Sequence, residues 1–110
     1  MKGAINANAK IKIRTQQGFE YISALDIVYI EGDGNYSKFV LDQDDERTVS
    51  RTLKDISVEL PEEFLRVHKK YFINRNYLIS INRQDHECLL GKGEVKFRIP
   101  VSVRMMKHIR

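Results

Sequence analysis

Short segments with the composition of half-buried strands recur about every ten residues along this chain, and turn-forming residues fill the gaps between them. They are IKIR (11–14), DIVYIE (26–31), NYSKFVL (35–41), ERTVS (46–50), YLISIN (77–82), HECLL (86–90) and VKFRIP (95–100). The gaps hold Gly18, GDG at 32–34, DQDD at 42–45 and GKG at 91–93. These residue types accept positive φ or bond their own backbone, which is what tight turns need. The pattern predicts a mostly β protein built from antiparallel hairpins, with the acid-rich stretch after residue 42 as a solvated tip.

One stretch breaks the two-residue period. In SRTLKDISVELP, Leu53, Ile56 and Leu60 recur at helical spacing, Ser50 or Thr52 can cap the start, and Pro61 stops the run. An amphipathic helix of two to three turns lying on the sheet is expected there. A second, short helix is allowed from Ser102, where VSVRMMKHIR sets Val103, Met106 and Ile109 on one side. At 110 residues the chain has the length of one domain. Its Ala- and Asn-rich opening reads as a linker or chain edge over residues 1–9, ahead of a domain over 10–110.

The single cysteine, Cys88, cannot form an intrachain disulfide, and no apolar run approaches the ~18 residues of a membrane span. A reducing, cytoplasmic setting is the expectation. Charge is unevenly spread. Residues 66–110 hold eleven basic side chains against three acidic ones, whereas residues 31–65 hold four against ten. Such asymmetry suggests one face built for a polyanion and another that is not.

Catalysis and metal binding find little support. The histidines at 68, 86 and 108 lack the spacing that preassembles a zinc site. His86, Glu87 and Cys88 are consecutive strand residues, so they cannot converge on one ion. GDGNY at 32–36 has no third glycine and precedes a strand, so it cannot present a helix N-terminus to a phosphate. Glu31 and Asp33 have no nucleophile or base partner in view. The expectation is a non-enzyme with no cofactor and no metal.

FLRVHKKYFIN (64–74) packs Arg66, His68, Lys69 and Lys70 between two apolar clusters. As a strand, Leu65 and Val67 would face inward, and Lys69 and Lys70 would then sit in an exposed connection held by packed flanks. A rigid basic loop suits phosphate and base contacts.

DIVYIEGDGNY, TLKDISVELPEEFLRVHKKYFIN and PVSVR together resemble the LytTR-type DNA-binding domain of bacterial response regulators, in matching order over roughly residues 25–104. The resemblance implies about ten short strands in small antiparallel sheets with one amphipathic helix packed between them. It also implies sequence-specific binding of double-stranded promoter DNA through loops, dimerisation on DNA repeats, and a receiver domain upstream in the full-length protein.

The first implied contact loop supplies Asn35, Tyr36, Ser37 and Lys38. The second supplies Lys69 and Lys70, with His68 either touching DNA or orienting the loop, and with Arg75 as a further phosphate contact. The third supplies Ser102 and Arg104. Where many members carry Arg-Ser after the His, this chain has two lysines, which cannot make the bidentate fork of an arginine. Base choice is therefore expected to rest mainly on Arg104. The alternative from another class is a protein-interaction module that uses an exposed edge strand or the acidic turn.

Overall fold

The structure, a computed structural model, describes residues 9–42 and 45–109. Residues 1–8 of the expected linker and positions 43–44 of the acidic turn lie outside the described residues. Ten strands form three antiparallel sheets among the described residues. Strands β1 (Lys10–Thr15) and β2 (Gly18–Ser23) make a hairpin. Strands β3 (Ile27–Asp33), β4 (Tyr36–Leu41), β5 (Asp45–Val49), β6 (Phe64–His68) and β7 (Tyr71–Asn74) make a five-stranded sheet in the order β5-β4-β3-β7-β6. The third sheet orders β8 (Leu78–Asn82), β9 (Glu87–Lys92) and β10 (Val95–Pro100) as β10-β9-β8. Helix α1 spans Leu53–Ser57 and α2 spans Val103–Met106.

Two apolar clusters explain the layering. Ile11, Ile13 and Ile22 of the hairpin and Leu53 and Ile56 of α1 pack on Ile30, Phe39 and Phe72, covering one face of the five-stranded sheet. Val28, Val67 and Ile73 on the other face pack against Cys88, Leu90 and Ile99 of the third sheet and Met106 and Ile109 at the C-terminus. Strand β3 lies at the centre and is buried on both sides, which is why its run Ile27–Ile30 has no polar alternation. A bulge between Ile27 and Tyr29 lets Val28 and Tyr29 share one cluster while Ile27 and Ile30 join the other.

The mostly β expectation holds, with three local corrections. GFEYIS and YFIN are strands that the alternation rule does not single out. Helix α1 has five residues, fewer than two to three turns, and buries Leu53 and Ile56, while Leu60 packs on the same cluster from beyond its end. Beyond it Val58 is 85% exposed and the chain closes single turns, with Glu59 N–H donating to Ile56 O and Leu60 N–H to Ser57 O. Helix α2 buries Met106 and leaves Val103 69% exposed, so Val103 does not join the packed side.

Of the two caps the sequence allows for α1, Thr52 is the one used, and Ser102 caps α2. Thr52 Oγ1 accepts from Asp55 N–H, and Ser102 Oγ from Met105 N–H, each at 3.1 Å.

Candidate nucleic-acid interface

Antiparallel register decides which turns meet. Pairing of Asp33 with Tyr36, of Glu31 with Tyr71 and of His68 with Tyr71 sets the β3–β4 turn and the β6–β7 turn at the same end of the five-stranded sheet. Ser102 N–H donates to Val67 O at 2.8 Å, which brings the start of α2 to that end as well. Four adjacent strands, β4 through β6, span only about 14 Å at ~4.8 Å per strand. Asn35, Tyr36, Lys69, Lys70, Ser102 and Arg104 therefore come from three separate segments yet share one end, hereafter the basic end.

The first turn is made by Gly34, whose φ of 63° suits a residue without Cβ, and by exposed Asn35. Tyr36 follows at 53% exposure. Ser37 must be withdrawn from the surface: it is 1% exposed, and its Oγ donates to Arg51 O at 2.7 Å, because β4 turns that position inward. Lys38 is half-buried and committed. Its Nζ lies 3.5 Å from a Glu31 carboxylate oxygen and 3.9 Å from one of Glu46. The Tyr71 hydroxyl donates to Glu31 at 3.4 Å, and burial, then the Glu31 charge, raises its pKa.

The second turn is clamped from four directions. Arg66 donates from Nε to His68 O at 2.9 Å and from Nη2 to Lys69 O at 2.7 Å, and its guanidinium lies 5.1 Å from the Phe72 ring centroid. Lys70 N–H donates to His68 Nδ1 at 3.1 Å, and Gly32 N–H donates to Lys70 O at 2.8 Å. His68 thus orients the turn, with its ring edge-on to Tyr71 at 5.6 Å. The backbone carbonyls are drawn inward and the two lysine side chains are left exposed. Arg66 was not singled out as a functional residue by sequence, although it lies inside the basic stretch.

A shallow cleft at this end is lined by Gly32, Gly34, Thr52, Leu53, Lys54, Lys69 and Lys70. Gly32 makes it possible, since a Cβ there would stand 2.7 Å from Leu53 Cγ. Without one, α1 can approach and place exposed Lys54 beside the two turn lysines. Lys54 carried no sequence signal, because its neighbourhood depends on this non-local contact. At the third segment Ser102 is spent on capping α2, while Arg104 is exposed and has no hydrogen bond or ion pair among the described residues.

Arg75 falls away from this group. Strand β7 carries the chain to the opposite end, where Arg75 N–H donates to Glu63 O at 3.0 Å and Arg75 shares a depression with Glu62, Glu63 and Asn76. Asp26 and Asp42 also lie there, close enough to Tyr77 to raise its pKa after burial has done so. Acidic side chains thus gather at the end opposite Lys69 and Lys70, although exposed Asp33 closes β3 at the basic end and Arg75 stands among the acids.

No group of three or more His, Cys, Asp or Glu side chains is arranged to hold a metal ion among the described residues. No helix among them is long and apolar enough to cross a membrane. Cys88 is 1% exposed, and burial, then Glu87, pushes its thiol up to about 11.

Comparison with known proteins bears on this arrangement. A solved LytTr DNA-binding domain of a putative methyl-accepting/DNA response regulator from Bacillus cereus shares the fold, with a TM-score of 0.72 at 19% identity over 92% of this chain and 93% of that one. The transcriptional regulatory protein NatR of Bacillus subtilis (strain 168) is 31% identical over 78 residues, 70% of this chain and 33% of NatR. The chain thus spans about a third of the length of that relative. The family profile described as the LytTr DNA-binding domain matches residues 17–110, most of the strands and all three segments of the basic end, and the chain belongs to that family of DNA-binding domains.

Proposed function

We infer that the basic end binds double-stranded DNA in a sequence-specific way, at promoter repeats, in transcription regulation. The observation that carries this reading is the convergence of Asn35, Tyr36, Lys69, Lys70 and Arg104 on one end of the sheet, with Lys54 beside them. Phosphates pair with Lys54, Lys69 and Lys70, which are exposed and uncommitted, and Asn35 adds a neutral donor. Arg104 carries base choice, because its planar guanidinium holds two donors at the spacing of the guanine O6/N7 edge more rigidly than a lysine ammonium can.

The wider reading, for the protein of which this domain is a part, is the output domain of a two-component response regulator. A receiver upstream would dimerise the domain on repeated sites. A protein-interaction role draws on one observation: edge strand β8, LISIN, has no charged residue and leaves Ile79 50% exposed.

Sequencing of the duplexes retained by the purified domain, followed by titration with the enriched sequence, tests the proposal. Arg104→Ala should weaken the enriched site by about 1 to 3 kcal/mol and leave random DNA nearly untouched. Equal losses on both would make Arg104 a positioning contact. Weak, sequence-blind retention would instead favour the interaction module.

A further inference from the structure

A cleft of about 730 Å³ lies between the β1–β2 tip and the end of β5, outside the three segments discussed so far. Ile13 and Val49 are among its lining residues, and Arg14, Thr15, Gln16, Glu20, Arg47, Thr48, Ser50 and Arg51 complete its wall. We propose that this cleft is a further seat for a DNA phosphate, taken from the duplex that flanks the sequence held by the basic end. The inference rests on the DNA-binding reading above and extends it to a segment that begins before the family match at residue 17.

Position is the first argument. Strand β1 starts beside Ala24, where Ala24 N–H donates to Ala9 O, and Ala24 O in turn accepts from Asn74 at the acidic end. It runs from there toward the β1–β2 tip, so Arg14 and Gln16 arrive next to Ser50 and Arg51. Arg51 O accepts from Ser37, one residue from the exposed Tyr36. The cleft therefore opens at the basic end, one layer away from the Asn35 turn, within reach of a duplex lying across that end.

Charge is the second argument. Arg47 is held by Glu20 and Asp45, each at 3.0 Å, and Arg51 by Glu59 at 2.7 Å, so their charges are already compensated. The Arg14 side chain is exposed and has no ion pair or hydrogen bond among the described residues. The outward face of the hairpin carries Lys10, Lys12 and Arg14 with Phe19 and Tyr21, and no acid. Glu20, the one acid of the hairpin, lines the cleft itself, where its carboxylate is engaged by Arg47 Nε at 3.0 Å. Lys12 Nζ sits 4.1 Å over the Phe19 ring, on the outward face of the hairpin beside the mouth of the cleft and not in its wall. Neutral donors on Thr15, Gln16, Thr48 and Ser50 complete a set that suits phosphate oxygens and carries no base information.

The test compares two duplexes with the same central sequence, one trimmed to that sequence and one with flanking base pairs, titrated against the wild-type domain and Arg14→Gln across salt. Arg14 is exposed, so an unchanged melting curve for the variant is the folding control. On the flanked duplex Arg14→Gln should flatten the slope of log K against log salt by about 0.9, the loss of one phosphate contact. On the trimmed duplex it should change nothing. Equal slopes for wild type and variant on both duplexes would overturn the proposal, as would equal flattening on both. If the wild-type domain failed to bind either duplex, the DNA reading itself would fall.

Discussion

Replacing Arg66 tests whether the basic turn is held in shape or merely charged. Its guanidinium bridges the carbonyls of His68 and Lys69, so Arg66→Met keeps the stem on Phe72 and removes both donors. A hydrogen bond from a charged donor is worth about 1.5 to 3 kcal/mol when its partner is then stranded. Lys69 is exposed, and water can take over its carbonyl, which discounts one of the two. Loss of the ring contact adds about 0.5 to 1 kcal/mol. The expected cost is therefore about 2 to 4 kcal/mol, read as a lower urea midpoint at unchanged slope.

Affinity for the enriched duplex should fall as well, because Lys69 and Lys70 must be reordered on binding. The salt slope should stay the same, since Arg66 itself meets no phosphate. Arg66→Lys separates the causes: one ammonium keeps the charge but lacks the planar fork that spans both carbonyls. It should behave much like the Met variant. Full recovery with Lys, or no loss of stability or affinity with Met, would refute the clamp.

Two further predictions concern the scaffold. Gly32→Ala puts a Cβ 2.7 Å from Leu53 Cγ and should cost about 1 to 3 kcal/mol by overpacking. Combined with Leu53→Ala in a double-mutant cycle, the double variant should cost less than the sum of the two single variants, whereas strict additivity would mean that the contact is not the cause. Alkaline pH should destabilise the fold in two overlapping steps. The Cys88 thiol, at about 11 against an ordinary 9.0, and the Tyr77 hydroxyl, at about 12 against 10.0, both have raised folded values. Their contributions are full below the unfolded values and are lost as pH rises, over about 9 to 11 for Cys88 and 10 to 12 for Tyr77. Cys88→Ala should remove the first step, about 2 to 3 kcal/mol, from a stability-versus-pH curve, and an unchanged curve would contradict the assignment.

The strands that alternate strictly were legible in the sequence, and the two that were not have physical reasons. In YFIN, Phe72 faces one cluster and Ile73 the other, so a strand buried on both sides shows no period. In GFEYIS the pattern is inverted: Phe19 and Tyr21 point to solvent while Glu20 turns inward to meet Arg47. The exposure of Lys69, Lys70 and Arg104 was readable because each stands in or beside a connection, where local sequence decides exposure. Ser37 and Arg75 were misplaced because sequence distance is a poor guide to space in a sheet. One residue along β4 changes face, and one short strand, β7, changes ends. Lys54 could not be read locally at all, since it depends on how closely Gly32 lets α1 approach.

Backbone amide NMR of the domain titrated with the enriched duplex tests the central claim most directly, because it reports which end of the sheet meets DNA. Shifts should concentrate at Asn35 and Tyr36, at Lys54, at Lys69 and Lys70, and at Ser102 to Arg104, with Asp26, Asp42, Glu63 and Arg75 unmoved. A footprint on the acidic end, or on the outer face of the β8–β10 sheet with the basic end silent, would contradict the account.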